Sequence, residues 1–437
     1  MKSFSFSAFI FTILFVSFMC HGGIGNNNYN LIPIAGEARI YGDIAKYNST
    51  LGLFNIEGEA IIFGRIARSE KNGILSDAGL LGACESKGLK GYEKYEQQLA
   101  CYRDVNCHRY LIYESQSGGQ ALIYSLINKL YKDPIIFRAL CASFLSAVLV
   151  SWFCWLGEYF GLFSSLWIMF GILFFRSLFL FGDNIAQVLG ADYLIMVALF
   201  WAYKKKMENV GEITFFVVLL KLLLNGAEYL FSALLLPFLP LVFYAVLDKM
   251  SKQSIRRDVL LISGGIGLAC LVSFLILSIQ VSITASPAEA MHHFMNRLMA
   301  RTYSPDLLAF PFKNFTKNIS IIQLLHLYLS MPCVCIGSFQ ISFMMMIVFF
   351  FMISILAFYL YRCYQERILL ALLATTWASI LCPLSWILMA KGHSATHTFI
   401  DQWIWHLPFT LFGMALTVVT LQMCSKFFYK FRINSAA

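Results

Sequence analysis

Two carboxylates separated by a single glycine, Glu57-Gly58-Glu59, open the most polar and patterned stretch of the chain, residues 53–82. A carboxylate can take a proton from a hydroxyl or hold a cation when it lies within hydrogen-bond reach of the reacting group. Cations that would suit a phosphate stand elsewhere: Arg176, the pair Arg297 and Arg301, and the compact group Lys391, His393 and His397. Arginines four apart share one face of a helix and can clamp a phosphate with paired N–H donors, or simply anchor the helix at the interface. His393 and His397 have the same spacing and could share a metal, but no third ligand stands at motif spacing, so hydrogen bonding to a phosphate or headgroup is the better reading. Asp183 and Asp192 fall between apolar runs, where ionisable residues default to a functional reading. Plainer readings apply to others. Glu57 and Glu59 are also favourable acids at a helix N-terminus, and Arg65 and Arg68 read best as a solvated face.

The elements that must position these groups follow from composition. The chain has 437 residues, 59% hydrophobic and 13% charged, with a mean hydropathy of +0.69. A soluble domain carries roughly 25% charged residues, so this is the balance of an all-α polytopic membrane protein. The net charge of +9 does not point to nucleic acid, because the cations cluster at the ends of apolar runs: Lys204 to Lys206, Lys249 to Arg257, Arg362 and Arg367, and Lys426 to Arg432. That clustering is a positive-inside pattern and reports orientation.

A spanning helix needs about 20 apolar residues, which predicts about 9–11 transmembrane helices. Residues 1–20 read as a signal-anchor span. Residues 21–133 form a mostly helical external domain, in which Gly73 stops a helix and an amphipathic segment from Gln120 to Leu130 lies in the interface. Residues 134–437 form the membrane domain. Its spans are expected near 136–156, 160–181 and 187–203, twice within 213–247 with a turn at 225–228, and near 259–281, 341–361, 368–390 and 403–424. Residues 282–319 and 391–402 make external loops. Cation parity leaves 320–338 as a re-entrant or interfacial segment, helped by Pro332, Gln323 and His326. Cys101 and Cys107 are expected to pair in the external domain, on proximity alone.

An N-terminal span, a large external loop whose first helix carries acidic residues, an interfacial helix and many later spans together resemble the GT-C class of glycosyltransferases that use polyprenyl-phosphate sugars. The match rests on Glu57-Gly58-Glu59, the following Ile66-Ala67-Arg68 and Gly73. More narrowly, Glu57-Gly58, Gly64-Arg65, Asn72-Gly73-Ile74, Ser115-Gln116 with Gly119-Gln120, and Lys391-Gly392-His393-Ser394 with His397 are similar to a group of bacterial multi-spanning membrane proteins. The resemblance implies an acid of the first loop, Glu57 and next Glu59, as catalytic base or as ligand of a divalent cation. It implies Arg176, Arg297, Arg301, Lys391, His393 and His397 as partners of the donor phosphate. It further implies a bacterial inner membrane, a site facing the periplasm, and a glycan, lipid or protein acceptor. An O-antigen polymerase or ligase, or a non-catalytic transporter component, are the competing classes. The first would not need an acidic helix after the first span; the second would place paired acids and cations deep within the spans.

Overall fold

The computed structural model describes residues 2–21, 51–85, 91–104, 109–113, 116–172, 175, 178, 182–284, 286–288, 291–292, 319–336, 339–396, 404 and 406–436. The chain is an all-α polytopic membrane protein. Six described helices are long and apolar enough to cross a membrane: Ile135–Phe160, Leu230–Leu247, Lys252–Thr284, Phe343–Tyr364, Arg367–Met389 and Pro408–Ser425. Shorter helices run beside them.

In chain order, α1 (Lys2–His21) lies along α5 (Ile135–Phe160). Its contact row is Ile10, Leu14 and Phe18, one residue in four, and all three are buried. Gly182 lets the 182–188 loop close onto Phe18, since a Cβ there would enter the ring. The polar domain comprises α2 (Leu51–Asn72), α3 (Gly91–Asp104), α4 (Gly119–Asn128) and a two-stranded ribbon, β1 (Leu81–Cys84) antiparallel to β2 (Tyr110–Tyr113). Helix α2 ends where expected: Gly73 follows Asn72 at φ +94°, a conformation cheap only for glycine, and its N–H caps Ser69 O at 2.9 Å.

After α5 come α6 (Leu162–Ile172), α7 (Leu189–Lys204), α8 (Val210–Asn225), α9 (Leu230–Leu247) and α10 (Lys252–Thr284). Helix α9 is interrupted at Pro237, which cannot donate the next backbone hydrogen bond. Residues 321–330 form only a short helix, α11 (Ile321–Ser330), opened by a reciprocal cap between Ser320 and Gln323. A hairpin of β3 (Pro332–Ile336) and β4 (Phe339–Ser342) then leads into α12 (Phe343–Tyr364), so this region adds no separate crossing of its own. Helices α13 (Arg367–Met389), α14 (Lys391–Thr396) and α15 (Leu411–Ala436) complete the chain.

Contacts divide the bundle into two ends. At one, Lys204 pairs with Glu158, Tyr203 donates to Asp258 at 3.0 Å, and Arg367 donates to Val246 O at 3.1 Å. The cation clusters of the α7–α8, α9–α10 and α12–α13 connections gather here, and we call it the basic end. At the other, the acid-bearing end, Gln280 near the end of α10 donates to Ala78 O and Ser117 O of the polar domain. There His393 of α14 reaches Glu228 before α9, and Tyr328 of α11 donates to Ser394 O.

Three local expectations are corrected. Helix α2 starts at Leu51, so Glu57 and Glu59 are not N-terminal acids but lie about two turns into the helix. Arg65 is fully buried rather than solvated, and Arg68 is mostly covered. Cys101 is a free thiol whereas Cys84 is disulfide-bonded, so the pairing of Cys101 with Cys107 fails. Cys84 sits on a strand fixed by the β1–β2 register, and proximity in sequence is a poor guide when a sheet sets the distances.

Candidate ion-pair site at the acid-bearing end

The guanidinium of Arg138, in the first turn of α5, joins two carboxylates from different parts of the chain. It donates to Glu59 Oε2 of α2 at 2.5 Å and to Asp183 Oδ2 of the 182–188 loop at 3.3 Å. Glu59 is completely buried, and Asp183 nearly so. Burial pushes the Glu59 carboxyl up to about 7, against the pull of Arg138 and with a further push from Asp183. Burial raises Asp183 too, with Arg138 opposing. A carboxyl that titrates near neutrality is suited to moving protons at ordinary pH.

The wall around this group is assembled from four segments. Gly58 lies against Ala186, where a Cβ would come within 2.9 Å of the alanine methyl. Gln120 of α4 donates to Ala186 O at 3.4 Å. Asn184 turns the loop by accepting from the N–H groups of Ala186 and Gln187 at 2.8 and 2.9 Å. Tyr124 of α4 bonds Cys141 Sγ at 2.9 Å one helical turn beyond Arg138. Four acceptor oxygens of these segments, Glu59 Oε1, Asp183 Oδ1, Gln120 Oε1 and Gln187 Oε1, are buried with no hydrogen-bond donor among the described residues.

Asn225 carries this wall across to the second polar group. Its side chain accepts from Val188 N at 2.8 Å and donates to Val188 O at 3.2 Å and Asp192 Oδ2 at 2.7 Å. Its own carbonyl accepts from Gln116 at 3.1 Å. Lys221, one turn earlier on α8, lies 4.0 Å from Asp192 and donates to the carbonyls of Gly226 and Glu228. Gly226 sits at φ +58° with Gln116 Cγ 2.5 Å from where a Cβ would be, so the turn admits no side chain. The same turn presents Glu228 to His393 Nε2 at 2.9 Å, with Trp386 and Tyr229 edge-on to the imidazole.

Of the residues singled out by sequence, Glu59, Asp183 and Asp192 are thus tied into one polar network, with His393 at its far edge and Lys391 half-buried two residues before it. Glu57 lies in α2, but its side chain falls outside the described residues, as do Arg176, Arg297, Arg301 and His397. Arg65 and Arg68 have a structural task. Arg65 donates to Ser76 O at 2.7 Å and to Ile74 O, and Arg68 makes a forked pair with Asp77 at 2.7 and 3.2 Å. They fold the 74–79 turn back on α2, where Asp77 and Ala78 adopt left-handed φ of 48° and 52°. Arg138 was not singled out; Asn225 and Glu228 entered only as the turn at 225–228, and Gln120 only within the Gly119-Gln120 segment of the resemblance. Arg138 could have been found as a charge at the end of an apolar run.

The divalent cation implied by resemblance does not fit the described donors. Arg138 already stands between the two carboxylates and takes one oxygen of each. Among the described residues no three His, Cys, Asp or Glu side chains converge as a metal site. Comparison with family models, curated proteins and solved structures returns no match to this chain.

Proposed function

We propose that the chain is a membrane glycosyltransferase that moves a sugar from a polyprenyl-phosphate donor to an acceptor outside the cytoplasm, with Glu59 as the general base. The observation that carries this reading is the state of Glu59: fully buried at the acid-bearing end of the bundle, its carboxyl pushed up to about 7, one oxygen held by Arg138 and the other without a donor among the described residues. In the reaction the acceptor's hydroxyl gives its proton to Glu59 Oε1 as its oxygen bonds the anomeric carbon. The bond from that carbon to the phosphate oxygen breaks, and the lipid phosphate leaves with the electron pair. Lys391, with the His393 imidazole beside it, is the described cation that would receive it. Positive-inside bias puts the basic end in the cytoplasm and this site on the far side, in the periplasm of a bacterial inner membrane.

The test is transfer of radiolabelled sugar from a polyprenyl-phosphate donor by purified protein in nanodiscs. Glu59→Gln keeps shape and hydrogen bonding but removes the base, and should cut the rate by about 10²–10⁴. Full activity in that variant would overturn the assignment.

One observation favours a second reading, an ion-coupled transporter component: Asp192 and Lys221 form a buried pair on neighbouring helices α7 and α8. Both sit near the acid-bearing ends of their helices, Asp192 in the first turn of α7 and Lys221 one turn before the end of α8. A transport path needs such groups in the middle of the membrane as well. Lys221→Met abolishing proton-driven uptake in vesicles, with transfer activity absent throughout, would establish that reading instead.

A further inference from the structure

Resting on the transferase reading, we infer that the Glu59–Asp183 cluster binds a primary ammonium group carried by the acceptor. The argument is one of charge and donors. Among the described residues two carboxylates and one guanidinium share this buried site, so with Glu59 ionised these three groups together carry one negative charge. An isolated buried charge is costly and calls for a partner or a proton. Arg138 leaves one oxygen of each acid without a donor, and the side-chain carbonyls of Gln120 and Gln187 lack one too. Gln120 is 1% exposed, and its amide is pinned to Ala186 O of the same loop, which fixes its carbonyl within this wall.

The four unmet atoms named are all acceptors. An anion would meet repulsion from both acids, so the lipid phosphate belongs on the Lys391 side. A divalent ion would overcompensate the charge and compete with Arg138. An ammonium group brings one positive charge and three N–H donors, which Asp183, Gln120 and Gln187 can receive while Glu59 Oε1 stays with the reacting hydroxyl. Gly58, Arg138, Ala186 and Gln187 all keep part of their surface exposed, so the cluster is approached from that edge. Without the ligand, Glu59 takes the proton instead. Binding should therefore expel a proton near neutral pH.

The experiment uses the full chain in detergent with ethanolamine as probe, read by calorimetry in two buffers of different ionisation enthalpy at about pH 7. Ethanolamine should bind with proton release. Choline, which has no N–H on nitrogen, and glycerol, which has no charge, should bind at least about tenfold more weakly. Gln120→Met, and at the rim Gln187→Met, should each weaken ethanolamine by about tenfold, and two variants guard against one that fails to fold. Equal binding of choline, displacement by Mg²⁺ alone, or no effect of either glutamine variant would overturn the inference. Native mass spectrometry with phosphatidylethanolamine and phosphatidylcholine separates the sources. Selective retention of the former makes the ligand a lipid headgroup; no selectivity beside tight free ethanolamine makes it soluble. The two proposals fail separately. Ethanolamine bound by a protein in which Glu59→Gln transfers normally would sink the base and spare the site, and the converse result would do the reverse.

Discussion

The two ends of the bundle use the same residue types to opposite effect. At the basic end Glu158 is half exposed and pairs with Lys204, whose ammonium also lies over the rings of Tyr159 and Trp201. Water solvates such charges, and they contribute little to stability while setting orientation. At the acid-bearing end Glu59 and Lys221 are fully buried and Asp183 and Asp192 nearly so. Each is held by a partner from a distant part of the chain: Arg138 lies 79 positions from Glu59 and 45 from Asp183, and Asn225 lies 33 from Asp192. Charges that face water need only composition. Charges removed from water need built partners, and that expense is sustained where chemistry gains from it.

The contrast can be broken most directly at the two ion pairs. Glu59→Gln should lower transfer by about 10²–10⁴, while Glu158→Gln should leave it within about twofold, because a half-exposed pair contributes only about 0–1 kcal/mol. Equal losses in the two variants would erase the distinction between the ends. Next in size is stability. Arg138→Met leaves two buried carboxylates without their cation and should destabilise by about 3–5 kcal/mol, whereas Lys204→Met should change the melt by no more than about 1 kcal/mol. Thermal unfolding in nanodiscs followed by far-ultraviolet circular dichroism measures both.

A smaller effect concerns pH, and its sign sharpens the comparison. Glu59 holds its proton up to about 7 in the folded protein, against 4.5 for an ordinary glutamate. Between those values the folded chain binds more protons than the unfolded one, so its contribution to stability is full below 4.5 and fades as pH rises through about 7. Under the proposed mechanism activity needs the ionised base and should rise over the same upper range. Melting temperature and transfer rate should therefore move in opposite directions with pH, and Glu59→Gln should flatten the Glu59 part of the stability change. Smallest is the far edge of the network: His393→Ala should weaken donor binding about tenfold with little change in the rate at saturation. A loss confined to the saturated rate would place His393 in the chemistry rather than in binding.

Several features were legible because they depend on neighbours in sequence. Gly73 ended α2 as its φ freedom suggests, and the 213–247 run turned back at Asn225-Gly226. The 320–338 segment failed to make a separate span, as its proline and polar residues indicated. The misreadings share a cause. Arg65 and Arg68 were placed on a solvated face by their spacing, but the 74–79 turn folds back and supplies carbonyls and Asp77. The amphipathic segment at α4 shows the converse. Ile123, Leu126 and Leu130 are exposed, while Gln120, Ser125 and Asn128 are buried beside Ala121 and Tyr124. For a helix at a lipid boundary the apolar face need not point to the protein core.

What the sequence by itself determined is whatever a local rule can decide: that the chain lies in a membrane, where most apolar runs begin and end, and at which ends cations gather. Hydropathy and positive-inside bias act on segments one at a time, so they survive without knowledge of the fold. Only the tertiary structure decided which charges are partners. Glu59, Arg138 and Asp183 carry no shared motif, and neither do Asp192, Lys221 and Asn225. They meet because α2, α5, α7 and α8 present the same end to one another, and because burial leaves each charge no water to turn to.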